Sequence, residues 1–203
     1  MDARDWDERY STAEMIWGAP PNEAVVELAT PLAHGRAVDI GCGEGRNALW
    51  LATRGWTVEG IDFSQVALDK AERIAADAPP AVVERLTWTR ADLLTADLGT
   101  GLDLVLIVYI HIPADQRREL LRRAQDALAP GGALLVLGHH SRNIAEGVGG
   151  PQDPSILFSP DDVTADLEPT MQVDFARDLG RDTPGGTAID ALVFARRGAG
   201  NTR

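Results

Sequence analysis

The side chains in this sequence that can do chemistry are a run of alternate glycines, two aspartates near it and three histidines further on. The run reads Asp39-Ile40-Gly41-Cys42-Gly43-Glu44-Gly45-Arg46-Asn47. Glycine removes the Cβ clash where φ is positive or where backbone must approach a ligand closely. A helix that starts just after such a turn offers unpaired N–H groups. Asp39, two residues before the first of these glycines, would repel a pyrophosphate and suits a ligand with a cationic amino or sulfonium group. Asp62 stands roughly 20 residues past the turn, where an acid can accept hydrogen bonds from ribose hydroxyls. Its alternative task, capping the next helix, can fall to Ser64. His111, His139 and His140 follow two apolar runs. Histidine takes up a proton near neutral pH, which is what a hydroxyl or thiol needs to become a nucleophile. Each of these histidines can equally be a capping or loop residue. No Gly-Lys-Ser/Thr follows the glycines, which excludes a P-loop, and the spacing is G-x-G-x-G rather than the dinucleotide G-x-G-x-x-G.

The elements that must position these residues alternate between strand and helix. Strands are expected at residues 36–40, 57–62, 86–89, 102–108 and 133–137. Helices are expected at 23–33, 44–54, from Ser64 to 77, 114–128 and, more briefly, 160–167. Pro79-Pro80 should end the helix that Ser64 begins, and Pro130-Gly131-Gly132 should end the one before the fifth strand. The run 102–108 is continuously apolar, as in a strand buried on both faces. Alternating strands and helices imply an α/β fold with a mostly parallel sheet. Two last strands, 171–178 and 188–196, are separated by a glycine-bearing stretch and suggest an antiparallel edge hairpin. Residues 139–160, with Gly147, Gly149, Gly150, Pro151 and Pro154, form a long loop, of which 147–154 reads either as an acceptor lid or as a static connector. The expectation is one domain: residues 1–35 as N-terminal helices or lid, 36–197 as core and 198–203 as a frayed tail. In the first of these stretches Trp6 and Tyr10 stand four apart and share a helix face. They read as a staple onto the core or as part of a cover, with 17–22 as its hinge.

Composition narrows the class. At 203 residues and 44% hydrophobic content the chain can bury an ordinary core. A net charge of −12, with basic residues only in short pairs such as Arg117-Arg118, argues against a nucleic-acid partner. Cys42 is the one cysteine, so neither an internal disulfide nor a two-cysteine zinc site can form. No metal site is expected. Residues 1–10 lack the apolar core of a signal peptide, no apolar run reaches membrane length, and a cytoplasmic protein is the default.

The motifs also carry a resemblance. Asp39-Ile40-Gly41-Cys42-Gly43-Glu44-Gly45 resembles the first motif of class I, Rossmann-like S-adenosylmethionine (SAM)-dependent methyltransferases, and Gly60-Ile61-Asp62-Phe63-Ser64 resembles the second. Arg90-Ala91-Asp92-Leu93 is similar to the segment after the third strand, and Leu128-Ala129-Pro130-Gly131-Gly132 to the turn before the fifth. The longer string from Gly41 to Ala52, then Gly55 and Val58, resembles tellurite-resistance and thiopurine-type small-molecule methyltransferases. The resemblance implies a three-layer sandwich with a seven-stranded, mostly parallel sheet and an antiparallel C-terminal edge hairpin. It also implies SAM as cofactor and S-adenosyl-L-homocysteine as product. Gly41 and Gly43 would lie against the methionine portion and Asp39 would hold its amino end, with Arg46 beside them. Asp62 would bind the ribose, Phe63 would pack on the adenine, and Asp92 and Leu93 would close the adenine pocket. Val108 would face the sulfonium, and Trp17 would cover the cofactor. The Asn/Asp-Pro-Pro-Tyr motif of enzymes that methylate planar nitrogens is absent after the fourth strand, where Val108-Tyr109-Ile110-His111 stands. The expected activity is therefore transfer of the methyl group, by in-line displacement, to a small-molecule oxygen, sulfur or related nucleophile. His111 and His139 are the candidate bases, and the enzyme would be a monomer or homodimer. The rival reading is a catalytically silent SAM-binding regulatory protein.

Overall fold

The structure, a computed structural model, describes residues 3–13, 15 and 20–199. It divides into two compact units, Met1–Asp97 and Leu98–Arg203.

In the first unit three parallel strands, β1 (Arg36–Ile40), β2 (Thr57–Asp62) and β3 (Leu86–Arg90), lie side by side. The register sets Asp39 opposite Gly60 and Asp62 opposite Arg90. Val38, Ile40 and Ile61 are fully buried, as strands packed on both faces require. Helix α3 (Arg46–Thr53) starts two residues later than residue 44, the expected start. Gly43 and Gly45, at φ of 54° and 75°, hold the chain out of the helical region until Arg46. Helix α4 (Gln65–Ala75) is capped by Ser64, whose Oγ accepts the Ala67 N–H at 3.1 Å. Pro80 does more than break that helix: it opens the short α5 (Pro80–Val83), where a missing N–H costs nothing. Helix α2 (Glu23–Ala29) stops before residue 33, because Pro31 cannot supply the N–H that the next turn needs.

The N-terminal helix α1 (Ala3–Ser11) is clasped onto α4. Ser64 Oγ donates to Asp7 Oδ1 at 2.5 Å. The Lys70 ammonium, buried, donates to the Tyr10 and Ala13 carbonyls, both at 2.5 Å, and to Glu44 Oε1 at 3.2 Å. Tyr10 is buried and its ring lies 5.6 Å from that of Trp6. The pair acts as a staple for this helix. Trp17, expected to cover the cofactor, and half of the hinge proposed for 17–22 lie outside the described residues.

The second unit comprises β4 (Leu102–Val108), α6 (Ala114–Ala127), β5 (Leu128–His139), α7 (Asn143–Glu146), α8 (Pro160–Ala165), β6 (Met171–Thr183) and β7 (Gly186–Arg197). β5 runs parallel to β4 and antiparallel to β7, which pairs antiparallel with β6. Leu104, Leu106, Leu120, Leu121, Leu134 and Leu135 form its innermost core. A buried leucine contributes about 1.5–3 kcal/mol, so this apolar set dominates the unit's cohesion. β5 begins five residues earlier than residue 133, the expected start. Gly132 permits this, because a Cβ there would stand 2.5 Å from the Leu102 carbonyl. The final hairpin also outruns expectation. Gly180 stays in the ladder opposite Ile189, and pairing continues to Thr183 and Gly186 around a two-residue turn.

The sheet has seven strands in the order β3-β2-β1-β4-β5-β7-β6, mostly parallel with antiparallel C-terminal strands. Among the described residues no helix is long and apolar enough to cross a membrane.

Candidate functional site

In the first unit the site is the turn between β1 and α3. Gly41, Gly43 and Gly45 all have positive φ, at 67°, 54° and 75°. Two N–H groups, of Gly41 and Cys42, converge on the Ile61 carbonyl at 2.7 and 3.0 Å, which ties the turn to the end of β2. Asp62 tightens the same knot. Its Oδ2 accepts the Gly43 N–H at 2.8 Å and its Oδ1 the Ser64 N–H at 2.9 Å. Burial raises the Asp62 pKa, and those backbone donors resist the rise. Each carboxylate oxygen keeps further lone-pair capacity, so tying the turn and accepting a hydroxyl are compatible tasks.

Asp39, at the end of β1, is 1% exposed, and its Oδ2 meets no hydrogen-bond partner among the described residues. Burial pushes its pKa up from 3.8 to about 7, against the Ala48 N–H and the Arg46 charge, which lower it. A buried carboxylate with one unpaired oxygen is costly by itself and complements a cationic group. Phe63 is half-buried and Leu93 buried. Asp92 is exposed and its Oδ1 accepts the Leu94 N–H at 2.9 Å, an Asx turn that shapes the loop after β3. Cys42 is buried and its thiol pKa is pushed up by that burial, which makes it an inert packing group.

One contributor was invisible in the motif. Trp88, in β3, abuts the turn and β2: a Cβ on Gly45 would meet its ring at 2.5 Å and one on Gly60 at 2.6 Å. The third glycine thus admits a tryptophan from behind the turn.

In the second unit the strand ends carry a polar cluster. Val108 is buried at the end of β4, and Tyr109 follows with φ of 58°, unusual for a non-glycine residue. Its N–H donates to the Leu137 carbonyl at 2.6 Å and its hydroxyl to Asp190 Oδ2 at 2.7 Å. Arg181 Nε also donates to Asp190 Oδ2, at 2.9 Å. His139 Nδ1 lies 3.0 Å from the other oxygen, Asp190 Oδ1. Neither of those two atoms has a well-directed hydrogen bond among the described residues, and both are buried. Burial of Asp190 would raise its pKa, but the groups of His139, Arg181 and Tyr109 outweigh it and hold the carboxylate below its ordinary value.

His111 and His139 are brought together, with rings stacked 5.2 Å apart at 15°. The His139 backbone N–H donates to His111 Nε2 at 3.0 Å. That bond occupies the acceptor nitrogen of a neutral His111, and its Nδ1 then carries the proton. Burial, and then the neighbouring His139, push the His111 pKa down to about 4, so it is neutral at pH 7. His140 faces elsewhere. Its Nδ1 accepts the Arg142 N–H at 2.9 Å and its Nε2 lies 3.3 Å from Asp178. The glycine loop after α7 is pinned. Asn143 Nδ2 donates to the Gly149 carbonyl at 2.9 Å and its Oδ1 accepts the Ile189 N–H at 2.7 Å. Gly150 then lies over the His139 ring, where a Cβ would come within 2.8 Å. Among the described residues no group of three or more histidine, cysteine or acidic side chains is placed to hold a metal.

Asp190, Arg181 and Tyr109 were missed by sequence reasoning. Asp190 was the findable one, a lone acid in the apolar run Ala188-Ile189-Asp190-Ala191-Leu192-Val193-Phe194.

A mostly parallel seven-stranded sheet with an antiparallel last pair, and a glycine turn flanked by buried acids, define a Rossmann-like α/β protein. Residues 37–132 match the family described as Methyltransferase domain. An uncharacterised methyltransferase of Mycobacterium tuberculosis is 29% identical over 127 residues, 62% of this chain and 61% of that protein. The 2-heptyl-1-hydroxyquinolin-4(1H)-one methyltransferase of Mycobacteroides abscessus is 29% identical over 143 residues, 68% of this chain and 61% of its own. This chain thus matches about 61% of the length of these relatives. A solved structure from work on conversion of a disulfide bond into a thioacetal group during echinomycin biosynthesis superposes with a TM-score of 0.76. It is 21% identical, with 98% of this chain and 93% of the other covered. The stretch that matches this family is just under half of the chain, and the superposed structure shares its Rossmann-like fold.

Proposed function

We propose that this protein is an enzyme that uses SAM to methylate a small-molecule oxygen or sulfur nucleophile. The observation that carries the donor half is Asp39 Oδ2, a buried carboxylate oxygen without a partner at the mouth of the glycine turn. Its chemistry fits the cationic amino end of the methionine portion, and no metal or phosphate would be satisfied by the same arrangement as well. When bound, SAM supplies a methyl group on a positively charged sulfur. The chain's own residues do the rest. Gly41 and Gly43 leave the backbone open to the ligand, with Arg46 beside it, while Asp62 accepts hydrogen bonds from the ribose. Phe63 packs on the adenine, and Asp92 and Leu93 border that pocket. This reading assigns the sulfonium end to Val108 and the cover to Trp17, which lies outside the described residues.

Rate enhancement comes chiefly from holding donor and acceptor in line. A hydroxyl or thiol acceptor must also lose a proton. His139 is the favoured acceptor of it, because His111 has its acceptor nitrogen engaged by the His139 N–H at 3.0 Å. His111 instead stacks on His139 and keeps its ring in place. The hydroxylated quinolone named for the Mycobacteroides abscessus relative supports a small hydroxyl-bearing acceptor. A net charge of −12 supports an acceptor that is not a nucleic acid. One functional domain over residues 1–203, acting in the cytoplasm as a monomer or homodimer, completes the proposal.

Titration calorimetry with SAM and with S-adenosyl-L-homocysteine tests the donor half. Saturable binding of both is expected, and folded protein that binds neither at millimolar concentration sinks it. Turnover against a panel of phenols, N-hydroxy heterocycles and thiols then separates an enzyme from a silent SAM-binding module.

A further inference from the structure

The second unit holds two orphaned atoms that face each other. His139 Nδ1 and Asp190 Oδ1 are both buried, lack any other hydrogen-bond partner among the described residues, and stand 3.0 Å apart. The carboxylate is fixed from its other oxygen by Tyr109 Oη at 2.7 Å and Arg181 Nε at 2.9 Å. Arg181 in turn lies over the Tyr109 ring, 5.6 Å from its centroid. The β5–β7 ladder sets the spacing, because His139 and Asp190 are paired residues in it. One face of the His139 ring stacks on His111, and Gly150 packs against the ring as well. The imidazole is thus held at its Nδ1 edge by Asp190 and on one face by His111, with Gly150 beside Cδ2, Cγ and Nε2.

We propose that Asp190 positions His139 as a carboxylate–imidazole dyad, and that the acceptor this site takes arrives with its proton on, as a weakly acidic O–H or S–H compound. The proposal rests on the methyl-transfer reading above and narrows its acceptor class. A carboxylate on Nδ1 fixes the tautomer with the proton on Nδ1, so the Nε2 lone pair is available. As the acceptor oxygen or sulfur bonds to the methyl carbon, the carbon–sulfonium bond breaks and its electron pair stays on the departing thioether sulfur. The acceptor's proton passes to His139 Nε2. The imidazolium so formed sits beside the Asp190 carboxylate and later releases the proton to water. An anion with no proton to lose, such as thiocyanate, would have no use for this dyad. The off-line geometry at 3.0 Å does not oppose the role, since catalytic hydrogen bonds often align only in the bound complex.

Among the described residues, the charged and titratable groups around His139 are Asp190 from β7, Tyr109 and His111 from the segment after β4, and, through Asp190, Arg181 from β6. Removing the Asp190 charge therefore leaves the Nδ1 edge of His139 without an anionic neighbour among these groups.

Two readouts test this. In the first, nitrogen-15 NMR of the His139 ring follows the tautomer in the wild type and in Asp190→Asn, with no acceptor present. The Nδ1–H tautomer is expected in the wild type, with the Nε2–H tautomer gaining population in Asp190→Asn. An Nε2–H tautomer in the wild type, or equal tautomer populations in two folded proteins, overturns the dyad. In the second, turnover is measured with 2-heptyl-1-hydroxyquinolin-4(1H)-one and with thiocyanate. For the hydroxylated probe, kcat should fall about 100-fold or more in His139→Gln and Asp190→Asn. Calorimetric SAM affinity should stay within threefold, and any rate with thiocyanate should change little. Equal losses on both probes overturn the acceptor class. Undetectable SAM binding by the wild type overturns the function while the NMR result still decides the dyad.

Discussion

At the scale of single residues, Asp39 sets the strongest physical constraint on the donor half. A carboxylate pushed up to about 7 by burial is largely protonated in mild acid. A cationic ligand needs it ionised, so binding below that pH must expel a proton. SAM affinity is expected to weaken by up to about tenfold per pH unit below 7 and to level off above it. Calorimetry from pH 5 to 8 checks this, and a flat profile counts against contact between Asp39 and the amino end. Asp39→Asn should weaken binding by roughly 10- to 100-fold, the worth of a hydrogen bond between charged groups, and should abolish the pH dependence. Tyr109 is the second residue whose local chemistry is unusual. A left-handed φ of 58° costs about 1–2 kcal/mol for a non-glycine residue. The hydroxyl bond to Asp190 and the N–H bond to Leu137 offset that cost. Tyr109→Phe keeps the ring and removes only the first bond. A stability loss of about 1–2 kcal/mol in urea unfolding is expected, with SAM affinity unaltered.

At the scale of elements, Trp88 joins β3 to the turn and to β2. A methyl group on Gly60 would stand 2.6 Å from the Trp88 ring and 2.9 Å from Cys42 Sγ. Gly60→Ala should therefore cost about 1–3 kcal/mol by overpacking. In a Trp88→Leu background the ring atoms it meets are gone, and the same substitution should cost at least about 1 kcal/mol less. Additive effects in that double-mutant cycle would show that the wedge is unimportant. The example also shows what was legible. The glycine turn and the strands at 36–40, 57–62 and 102–108 were readable because local conformation and continuous burial leave marks on consecutive residues. The Trp88 wedge leaves none, since it joins residues that meet only in the sheet. The same holds for Tyr109 and Asp190, 81 positions apart, and for Lys70, whose carbonyl partners lie 57 and 60 residues away. Gly180 misled in the opposite sense. It looks like punctuation but sits inside a ladder, where its missing side chain is tolerated on an edge strand.

At the scale of the whole molecule, the two units carry acid responses of opposite sign. Asp39 in the first unit has a folded pKa above its ordinary 3.8, at about 7. Its contribution to stability is complete below 3.8 and is lost as pH rises through 7, at most about 4 kcal/mol. Asp62, also raised by burial, acts in the same direction. His111 in the second unit has a folded pKa lowered from 6.5 to about 4. Its contribution is complete above 6.5 and is lost as pH falls through 4, at most about 3 kcal/mol. Between roughly pH 4 and 6.5 the slopes oppose each other, and the intact protein should show a shallow dependence. The net charge of −12 adds a background repulsion that acid relieves, and it does so almost equally in single-residue variants. Comparing two variants therefore isolates the local terms. His111→Gln keeps an acceptor for the His139 N–H and removes the imidazole titration, so its stability should rise as pH falls from 7 to 4.5. Asp39→Asn removes the opposing carboxylate, so over the same range its stability should fall relative to that of His111→Gln. Urea unfolding of both variants at pH 4.5, 5.5, 6.5 and 7.5 measures the two slopes. Equal slopes would mean that the buried carboxylate and the stacked imidazole do not govern the acid response of their units.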